Sequence, residues 1–329
     1  EHDDANLTVT AQSGITLSAL QTSLASKKQF VPIDAPFPDR GTIGGIVAAN
    51  LNGARRSCYG GVRDLVIGMK VGLAGGELFK AGGKVVKNVA GYDMCKLLIG
   101  SLGTLGIITE VTLRVAPVPE SVATFIASGT LNQAQRFTAE LSHSPLLPAA
   151  VFLQNDGTPE QWRLAIWSEG FEETTARHVR DLNAIANRIG AQAEILRDKN
   201  HHALWNQIRD FSLRADQLVF RVTLPRVKIF NFLPVIQEWA MPSVATDLSM
   251  GTVWIGCEAK KNQAFRFSEV ASMARQHSGH AVLFAAPPEL KQGIEVWGPS
   301  PQAFSLMREI KHQFDPDNIL NPGRFVGGL

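Results

Sequence analysis

The chain has 329 residues, of which 45% are apolar and 19% charged, enough for a large core divided between two domains. Its 32 basic and 30 acidic residues give a net charge of +2 and form no long runs, which excludes an electrostatic footprint for nucleic acid or an anionic membrane. The three cysteines are far apart and lack a C-x-x-C spacing or a histidine-rich neighbour, so neither a disulfide framework nor a zinc or iron–sulfur site is predicted.

The sequence shows no signal for secretion or membrane insertion. No apolar run reaches the roughly 18–20 residues of a spanning helix, and the start EHDDANLTVT is too polar for a signal peptide. A reducing, cytoplasmic setting is therefore predicted. Because the first residue is Glu1 and not Met, the sequence indicates a fragment or a processed form.

Glycine is concentrated in one part of the chain, with 16 of the 29 glycines between Gly41 and Gly106. This block opens with PFPDRGTIGGIVAANLNGARRSCYGGVRDLVIG, where glycines precede a small-residue stretch, 46–51, of helical character. Exposed backbone N–H groups beside a helix N-terminus form an anion-binding arrangement. The loop is therefore a candidate ligand contact.

The rest of the block predicts a sheet. Apolar residues alternate along LVIGMKVGLAGGELFKAGG, which predicts a hairpin that turns at Gly75–Gly76. The stretch KNVAGYDMCKLLIGSLGTLGIITEVTLRVAPVP predicts a short helix, a glycine turn, and a strand closed by Pro117 and Pro119. Together these segments predict an α+β domain with glycine loops at its strand ends.

Neither of two common phosphate motifs fits this block. Gly100, Gly103 and Gly106 leave a helix and enter a strand, the reverse of the order in a dinucleotide-binding fingerprint. The P-loop spacing fails around Gly83–Lys84, where Val85 replaces the hydroxyl residue. Separate glycine loops suit an extended ligand with phosphates and a flat ring system. The alternative, that these glycines only form tight turns and bulges, stays open.

Residues 120–285 predict a second α+β domain with an antiparallel sheet, reached through the linker RVAPVPE. SVATFIA, AAVFLQ, RLAIWSEG, QLVFRVTLP and TVWIGCEA have the pattern of strands. LNQAQRFTAELSHS and EETTARHVRDLNAIANRIG have the pattern of amphipathic helices. A last helix, SPQAFSLMREIKHQF, precedes DPDNILNPG.

Three segments carry a resemblance to a known family: PDRGTIGGIVAANLNGARRSCYGGVRDLVIG, VVKNVAGYDMCKLLIGSLGTLGIITEVTLRVAP and FDPDNILNPGRFVGGL. They resemble the flavin-linked oxidases of the vanillyl-alcohol-oxidase type, and most closely the FAD-binding subunits of bacterial glycolate oxidases. The resemblance implies an α+β fold with an N-terminally incomplete PCMH-type FAD-binding domain at 1–117. It also implies an α+β cap domain at 118–285 and a C-terminal segment, 286–329, that returns to the flavin domain.

The resemblance further implies FAD as the cofactor and a set of residues that contact it. These are Gly41, Thr42, Gly44, Gly45, Asn50, Gly53, Tyr59, Gly60, Gly103, Thr104, Gly106, Ile107, Asn321 and Arg324. A side chain at Gly103 or Gly106 would stand between the backbone and a ligand packed against it. A cation at Arg324 beside the flavin would stabilise the reduced anion, whereas its alternative role is to cap a terminal turn.

The chain departs from the family pattern in two ways. Relatives begin with an additional subdomain whose glycine-rich loop wraps the diphosphate, and this sequence starts after it. If the sequence is the whole molecule, FAD binding is expected to be weak or absent; if it is a fragment, further residues would complete the site. Leu102 stands where many catalytic relatives carry Glu. The second departure favours a non-catalytic or electron-transfer role.

Oxidation of a 2-hydroxy acid needs a cation for the carboxylate and a base for the hydroxyl proton. Arg55, Arg56 and Arg63 are the candidate cations, and Arg56 is predicted as the catalytic one, against the alternative of structural ion pairs. His277 and His280 lie on either side of Gly279 at the start of a predicted strand. His280 is predicted as the base because its Gly-His pair matches the family, against the alternative of a structural histidine.

The two remaining adjacent histidines, His201 and His202, begin a predicted helix and are expected to be solvated. The sequence contains no counterpart of the metal-binding histidine cluster of related D-2-hydroxyacid dehydrogenases, so no metal site is predicted. This argues against oxidation of the substrate by this chain alone.

The sequence predicts an FAD-dependent oxidoreductase acting on CH–OH groups, as one subunit of a glycolate oxidase or dehydrogenase. The expected partners are a larger catalytic FAD-linked subunit and an iron–sulfur subunit, and the expected substrate is glycolate or a similar 2-hydroxy acid. Such a complex would be cytoplasmic and at most peripheral on the inner membrane. The main alternative is an assembly subunit that keeps the flavin fold and binds no FAD; a third is a stand-alone flavin oxidase for another alcohol.

Overall fold

The computed structural model describes residues 1–83, 92–158, 160–211, 217–240, 242–259 and 265–329. The chain forms two compact units, Glu1–Val118 with Pro299–Leu329, and Pro119–Gly298. Residues 286–298 belong to the second unit, although the sequence predicts them in the C-terminal segment. They belong there because Ile294 and Val296 pack on its core and the Leu283 N–H donates to Val296 O at 2.9 Å.

The first unit is built on an antiparallel sheet with strand order β1-β2-β6-β4-β5 among the described residues, beside a two-stranded sheet, β3-β7. Its strands are β1 (His2–Asp3), β2 (Thr8–Gln12), β3 (Gln29–Phe30), β4 (Val66–Gly72), β5 (Leu78–Gly82), β6 (Ile107–Arg114) and β7 (Ala116–Pro117). Its helices are α1 (Leu17–Ala25), α2 (Ile43–Ala48), α3 (Arg56–Tyr59), α4 (Val62–Leu65), α5 (Met94–Leu98) and, from the end of the chain, α12 (Phe304–Phe314), with a short 3-10 turn at Val326–Gly328.

The core of the first unit follows from the period-two pattern of the sheet. Met69 and Val71 of β4 and Val111 of β6 point to one face and are buried, as the alternation in the sequence predicts. The predicted hairpin is confirmed, since β4 pairs antiparallel with β5. The C-terminal segment returns to this core, because Ile310 and Phe314 of α12 pack against it.

The second unit contains an antiparallel sheet with order β11-β8-β10-β9-β13-β14-β12-β15 among the described residues. Its strands are β8 (Ser121–Gly129), β9 (Ala150–Asn155), β10 (Trp162–Gly170), β11 (Gln192–Leu196), β12 (Gln217–Thr223), β13 (Ser243–Asp247), β14 (Thr252–Glu258) and β15 (His280–Ala285). Its helices are α6 (Leu131–Ser142), α7 (Glu172–Ile189), α8 (Asp198–Asp210), α9 (Ile229–Ala240), α10 (Phe265–Gln276) and α11 (Pro288–Lys291), with a 3-10 turn at Arg226–Lys228. The predicted α+β domain with an antiparallel sheet is therefore present.

Local signals explain the two predicted helices of this unit. Thr130 and Gln133 form a capping box at the start of α6. Helix α7 ends at Gly190, whose φ of 73° lies in the left-handed region that favours glycine. Its buried face includes Leu182 and Ile189, two turns apart.

The prediction of a solvated His201 is wrong. His201 lies on the inner face of α8 with 0% exposure, and its Nδ1 lies 2.8 Å from Thr124 Oγ1. Trp205, one turn later, donates from Nε1 to the same hydroxyl oxygen at 2.7 Å. Buried residues at 201, 204, 205 and 208 follow the spacing of a helix packed on a sheet, which is the signal that would have indicated burial. His202, in contrast, is exposed.

Candidate cofactor-binding site

The glycine turn between α5 and β6 is the most constrained backbone among the predicted contacts. The Thr104 N–H donates to Ser101 O at 3.1 Å, and the two residues between them have positive φ, 55° at Leu102 and 73° at Gly103. Positive φ at both central positions is typical of a type I′ turn. Gly103 adopts this conformation freely, whereas at Leu102 it costs about 1–2 kcal/mol. The surrounding structure must therefore hold the turn in place.

Three hydrogen bonds to carbonyl groups hold it. Asn321 donates from Nδ2 to Leu102 O at 2.7 Å, and Lys311 donates from Nζ to Thr104 O at 2.9 Å. The buried Thr104 hydroxyl donates to Ser101 O at 2.8 Å. The structure thus brings the predicted residues Gly103, Thr104 and Asn321 together. The side chains of Thr104 and Asn321 are engaged with the turn itself.

The amide groups of the same turn are used differently. The Leu102 N–H donates to Ala48 O at 2.8 Å and the Gly100 N–H to Val47 O at 3.1 Å. The N–H of Gly103 has no hydrogen-bond acceptor within the described part of the chain. Since backbone donors are almost always paired in folded proteins, an unpaired N–H on a half-exposed glycine suits a ligand acceptor atom.

Lys311 and Asp315 form a buried ion pair behind the turn, with side-chain exposures of 7% and 0%. Besides Thr104 O and Asp315 Oδ2, the Lys311 ammonium donates to Leu320 O at 2.9 Å, so its three N–H groups are all paired. Asp315 also accepts from the N–H groups of Ile319 at 3.0 Å and Leu320 at 2.7 Å. The network joins α12, segment 315–320 and the turn. The sequence analysis predicted a role for neither Lys311 nor Asp315.

The ion pair predicts a dependence of stability on pH. Burial raises the pKa of Asp315, but the hydrogen bonds from Lys311 and from the Leu320 and Ile319 N–H groups outweigh it, so this pKa lies below its ordinary value. The pair therefore stabilises the fold above the ordinary carboxyl pKa of about 3.9, and the contribution is lost as the pH falls through the lower folded value.

Urea unfolding of wild type and Asp315→Asn across the acid range measures this dependence. The difference between their free energies of unfolding is expected to be largest near neutral pH and to shrink below about pH 4. If the difference between the two free energies of unfolding stayed the same at acid pH, the lowered pKa of Asp315 would be contradicted.

In the first glycine loop, two adjacent glycines have different surroundings. The Gly44 N–H donates to Ser13 O at 2.8 Å, and a Cβ at Gly44 would lie 2.6 Å from Ser13 Cβ. Gly45 is exposed, and a Cβ there would meet only the Thr42 hydroxyl oxygen, at 3.2 Å. Thr42 caps α2 by accepting the Gly45 N–H, so the helix begins at Ile43 and not at residue 46 as predicted. Packing explains Gly44, whereas Gly45 leaves one side open to a ligand.

Protein packing also explains other predicted glycines. A Cβ at Gly53 would lie 2.2 Å from Asp34 Cβ, and one at Gly106 would lie 2.6 Å from Val71 Cγ1. Gly60 has φ +87°, a conformation that favours glycine whatever its neighbours. At these three positions the neighbouring chain or the backbone conformation accounts for the residue type without a ligand.

The remaining predicted contacts also lie in the first unit: Gly41, Asn50, Tyr59, Ile107 and Arg324. Ile107 is exposed at the start of β6, and Arg324 is exposed beside Asn321, whose carbonyl accepts its N–H at 3.2 Å. Tyr59 packs edge-on against Phe30 with ring centroids 5.6 Å apart. Residues 85–91, the start of the second segment that carries the family resemblance, lie outside the described residues.

The three candidate arginines differ in the hydrogen bonds that their side chains make. Arg55 donates from Nη2 and Nε to the Asp34 carboxylate at 2.6 and 3.1 Å, so this bidentate pair occupies the group proposed as a carboxylate clamp. Arg63 donates from Nη1 to Lys96 O at 2.8 Å. Arg56 is exposed on α3 and, among the described residues, has no side-chain hydrogen bond or ion pair. Of the three, Arg56 alone has no side-chain hydrogen bond or ion pair among the described residues.

The histidines predicted near the chemistry belong to the second unit. His280 is exposed at the start of β15, where it pairs with Thr223. The Nδ1 of His277 lies 2.9 Å from Met273 O and its ring packs against Phe232, so it has a structural role. Within the described ranges, no group of three or more His, Cys, Asp or Glu side chains could hold a metal ion. In the same ranges, no helix is long and apolar enough to cross a membrane.

A cavity of about 1020 Å³ lies over the polar face of the first sheet. Its lining includes Thr10, Gln12, Thr112 and the Lys70–Glu110 ion pair, whose Nζ–Oε1 distance is 2.8 Å. Among its described lining residues, none is a predicted cofactor contact. The glycine turn and this cavity are therefore separate features of the first unit.

Two family models match the chain. Residues 1–82 match an FAD binding domain, and residues 298–325 match the C-terminal domain of FAD linked oxidases. The glycolate oxidase subunit GlcE of Escherichia coli is 30% identical over 100% of this chain and 84% of that protein. The glycolate oxidase subunit GlcD of Bacillus subtilis is 30% identical over 98% of this chain and 76% of that protein.

A solved structure of alkyldihydroxyacetonephosphate synthase has the same fold, with a TM-score of 0.73 at 18% identity. The likeness covers 97% of this chain, which spans 65% of the synthase. At this identity the comparison shows the fold alone.

Proposed function

The chain belongs to the FAD-linked oxidase family, and we propose that it is the FAD-binding subunit of a multi-subunit glycolate oxidase or dehydrogenase. It is an oxidoreductase whose cofactor is FAD. In the proposed reaction, glycolate or a similar 2-hydroxy acid is oxidised to the 2-oxo acid. The two relatives named as glycolate oxidase subunits support this substrate class.

The observation that carries the proposal is the unpaired Gly103 N–H on a turn fixed by the C-terminal segment. The residues fit a flavin, because the donor is presented by a glycine and the turn carbonyls are already paired within the protein. Gly103 and Ile107 would contact the flavin ring of FAD. The open side of Gly45, at the start of α2, would face the diphosphate of FAD. Bound FAD would accept the hydride of the substrate C–H bond, which carries the two electrons of the oxidation.

Arg56 is proposed for the substrate, because it is exposed and unpaired among the described residues and its guanidinium can bind a carboxylate bidentately. The role of His280 as the base stays a prediction, and its side chain is exposed in the second unit. The proposed partners are the larger catalytic FAD-linked subunit and an iron–sulfur subunit. A cytoplasmic complex, peripheral on the inner membrane through its partners, is part of the same proposal.

One observation favours the second candidate function, an assembly subunit that binds no FAD. Gly44, Gly53 and Gly106 pack so closely against Ser13, Asp34 and Val71 that their residue type needs no ligand. A protein that kept only the fold would retain these glycines. It would have no need of an open Gly45 or an unpaired Gly103 N–H.

The variant Gly45→Ala separates the two functions. We expect FAD to bind about tenfold or more weakly, because the added methyl stands on the ligand side, a loss of about 1.4 kcal/mol or more. We expect little change in the melting temperature, because alanine favours the helix by about 0.5–1 kcal/mol and the 3.2 Å contact with Thr42 offsets part of this gain. Flavin fluorescence titration and calorimetry measure the two effects.

The matched control is Gly75→Ala in the β4–β5 loop, where a Cβ would meet Glu77 Oε2 at an ordinary 3.8 Å. It is expected to change neither FAD affinity nor melting temperature. Equal FAD affinity in both variants would refute the placement of the ligand at Gly45. If the wild-type protein retains no flavin, the assembly function is the candidate that remains.

A further inference from the structure

We infer that Lys311 and Asn321 are positioning residues, which aim the N–H groups of Leu105 and Gly103 at FAD by holding the carbonyl groups of the same peptide units. The inference rests on the proposed function. It changes the predicted role of Asn321 from a cofactor contact to a support of the turn, and it gives a role to Lys311, which the sequence did not indicate.

The geometry of the peptide unit links each anchoring side chain to one N–H group. Cis peptide bonds are absent from the described residues, and in a planar trans unit the C=O and N–H bonds point in opposite directions. Asn321 Nδ2 holds the Leu102 carbonyl, so the Gly103 N–H points away from Asn321. Lys311 Nζ holds the Thr104 carbonyl, so the Leu105 N–H points away from Lys311.

Both of these N–H groups are left for a ligand. Neither the Gly103 N–H nor the Leu105 N–H has an acceptor among the residues that the structure describes. The intervening Thr104 N–H is used inside the turn, where it donates to Ser101 O. The two anchors therefore act on two peptide units whose donors remain unpaired among the described residues.

The charge of Lys311 affects the peptide unit to which it binds. A buried ammonium is costly unless it is paired, and here it is held by Asp315 and the carbonyl groups of Thr104 and Leu320. A charged donor polarises the peptide unit to which it binds, which strengthens the N–H at the other end as a donor. Lys311 thus both orients the Leu105 N–H and increases its strength as a donor.

The test of Asn321 is the variant Asn321→Asp, with Asn318→Asp as its matched control. Both residues are exposed asparagines of the same segment with positive φ, 44° and 51°, and both variants add one negative charge. Only Asn321 donates to the turn. A carboxylate cannot donate to Leu102 O, so we expect Asn321→Asp to bind FAD about tenfold or more weakly and Asn318→Asp to bind as wild type does.

Lys311 is tested in the double variant Lys311→Met/Asp315→Asn, which removes the donor to Thr104 O without leaving a buried charge. The amide oxygen introduced at position 315 still accepts a backbone N–H. We expect weaker FAD binding and a shifted absorption band of the bound flavin relative to wild type. A merely structural change would alter the melting temperature and leave that band in place.

Hydrogen exchange in the FAD-free protein gives a readout independent of the cofactor. We expect the amides of Leu102 and Thr104 to exchange faster in Asn321→Asp than in wild type or Asn318→Asp. Equal exchange and equal FAD affinity in the two aspartate variants would overturn the inference. A wild-type protein that binds no FAD would refute the proposed function instead, and the exchange rates would then decide whether Asn321 positions the turn.

Discussion

Replacing Lys311 with methionine is expected to lower the free energy of unfolding by about 3–5 kcal/mol, because it leaves the Asp315 carboxylate buried without its charged partner. The variant also leaves Thr104 O and Leu320 O without the donor that they share. Methionine has a similar length and is apolar, so the loss comes from the unpaired polar groups and not from an empty space. Urea unfolding at neutral pH measures the change.

The control is Lys70→Met, which removes an ion pair with Glu110 whose side chains are 40% and 29% exposed. Pairs that water reaches are worth about 0–1 kcal/mol, so this variant is expected to stay close to wild type. Adding Asp315→Asn to Lys311→Met is expected to restore part of the lost stability, since no buried charge remains. If Lys311→Met costs no more than Lys70→Met, the buried pair does not hold the C-terminal segment.

Much of the fold could be predicted because it depends on local periodicity. The β4–β5 hairpin follows from alternation around a glycine turn, and α6 and α7 follow from their amphipathic pattern and caps. Strands β11 and β13 were not predicted, because QAEIL and SVATD are short and mixed in polarity. Their strand character comes from pairing with β8, β9 and β14, which a local pattern does not show.

The sequence predicts the candidate site from its glycines, but it does not show what each of these glycines faces. The sequence does not show whether a glycine avoids a clash with the protein, leaves room for a ligand or only forms a turn. At Gly53 the neighbour is Asp34, and at Gly45 the space is open. Asp34 also binds Arg55 through its carboxylate, so one residue leaves no room for a side chain at position 53 and engages a candidate catalytic arginine. Such contacts join distant parts of the chain.

Lys311 and Asp315 could not be recognised for a related reason. In the sequence they form an (i, i+4) pair near a helix end, which is typical of a solvated surface pair. Their burial depends on the turn at Thr104, which lies in another part of the chain and folds over α12. The available signal was indirect, because the neighbouring Ile310 and Phe314 mark the buried face of the helix.

Replacing Trp205 with alanine is expected to destabilise the second unit by about 3–5 kcal/mol, because a large buried ring is removed from between α8 and the sheet. Its ring centroid lies 4.9 Å from that of Trp167 and 5.8 Å from that of Phe152, and its Nε1 donates to Thr124 Oγ1. Calorimetry and urea unfolding measure the loss. An alanine variant as stable as wild type would show that α8 is not held by this ring.

Trp205→Phe separates the two contributions of this side chain. Phenylalanine keeps an aromatic ring in the cluster and removes the donor to Thr124, so a loss of about 1–3 kcal/mol is expected. The same hydroxyl also lies within hydrogen-bond distance of His201 Nδ1, so a His201→Ala change in the Trp205→Phe background should cost less than it does in wild type. Additive losses would show that Thr124 does not couple the two residues.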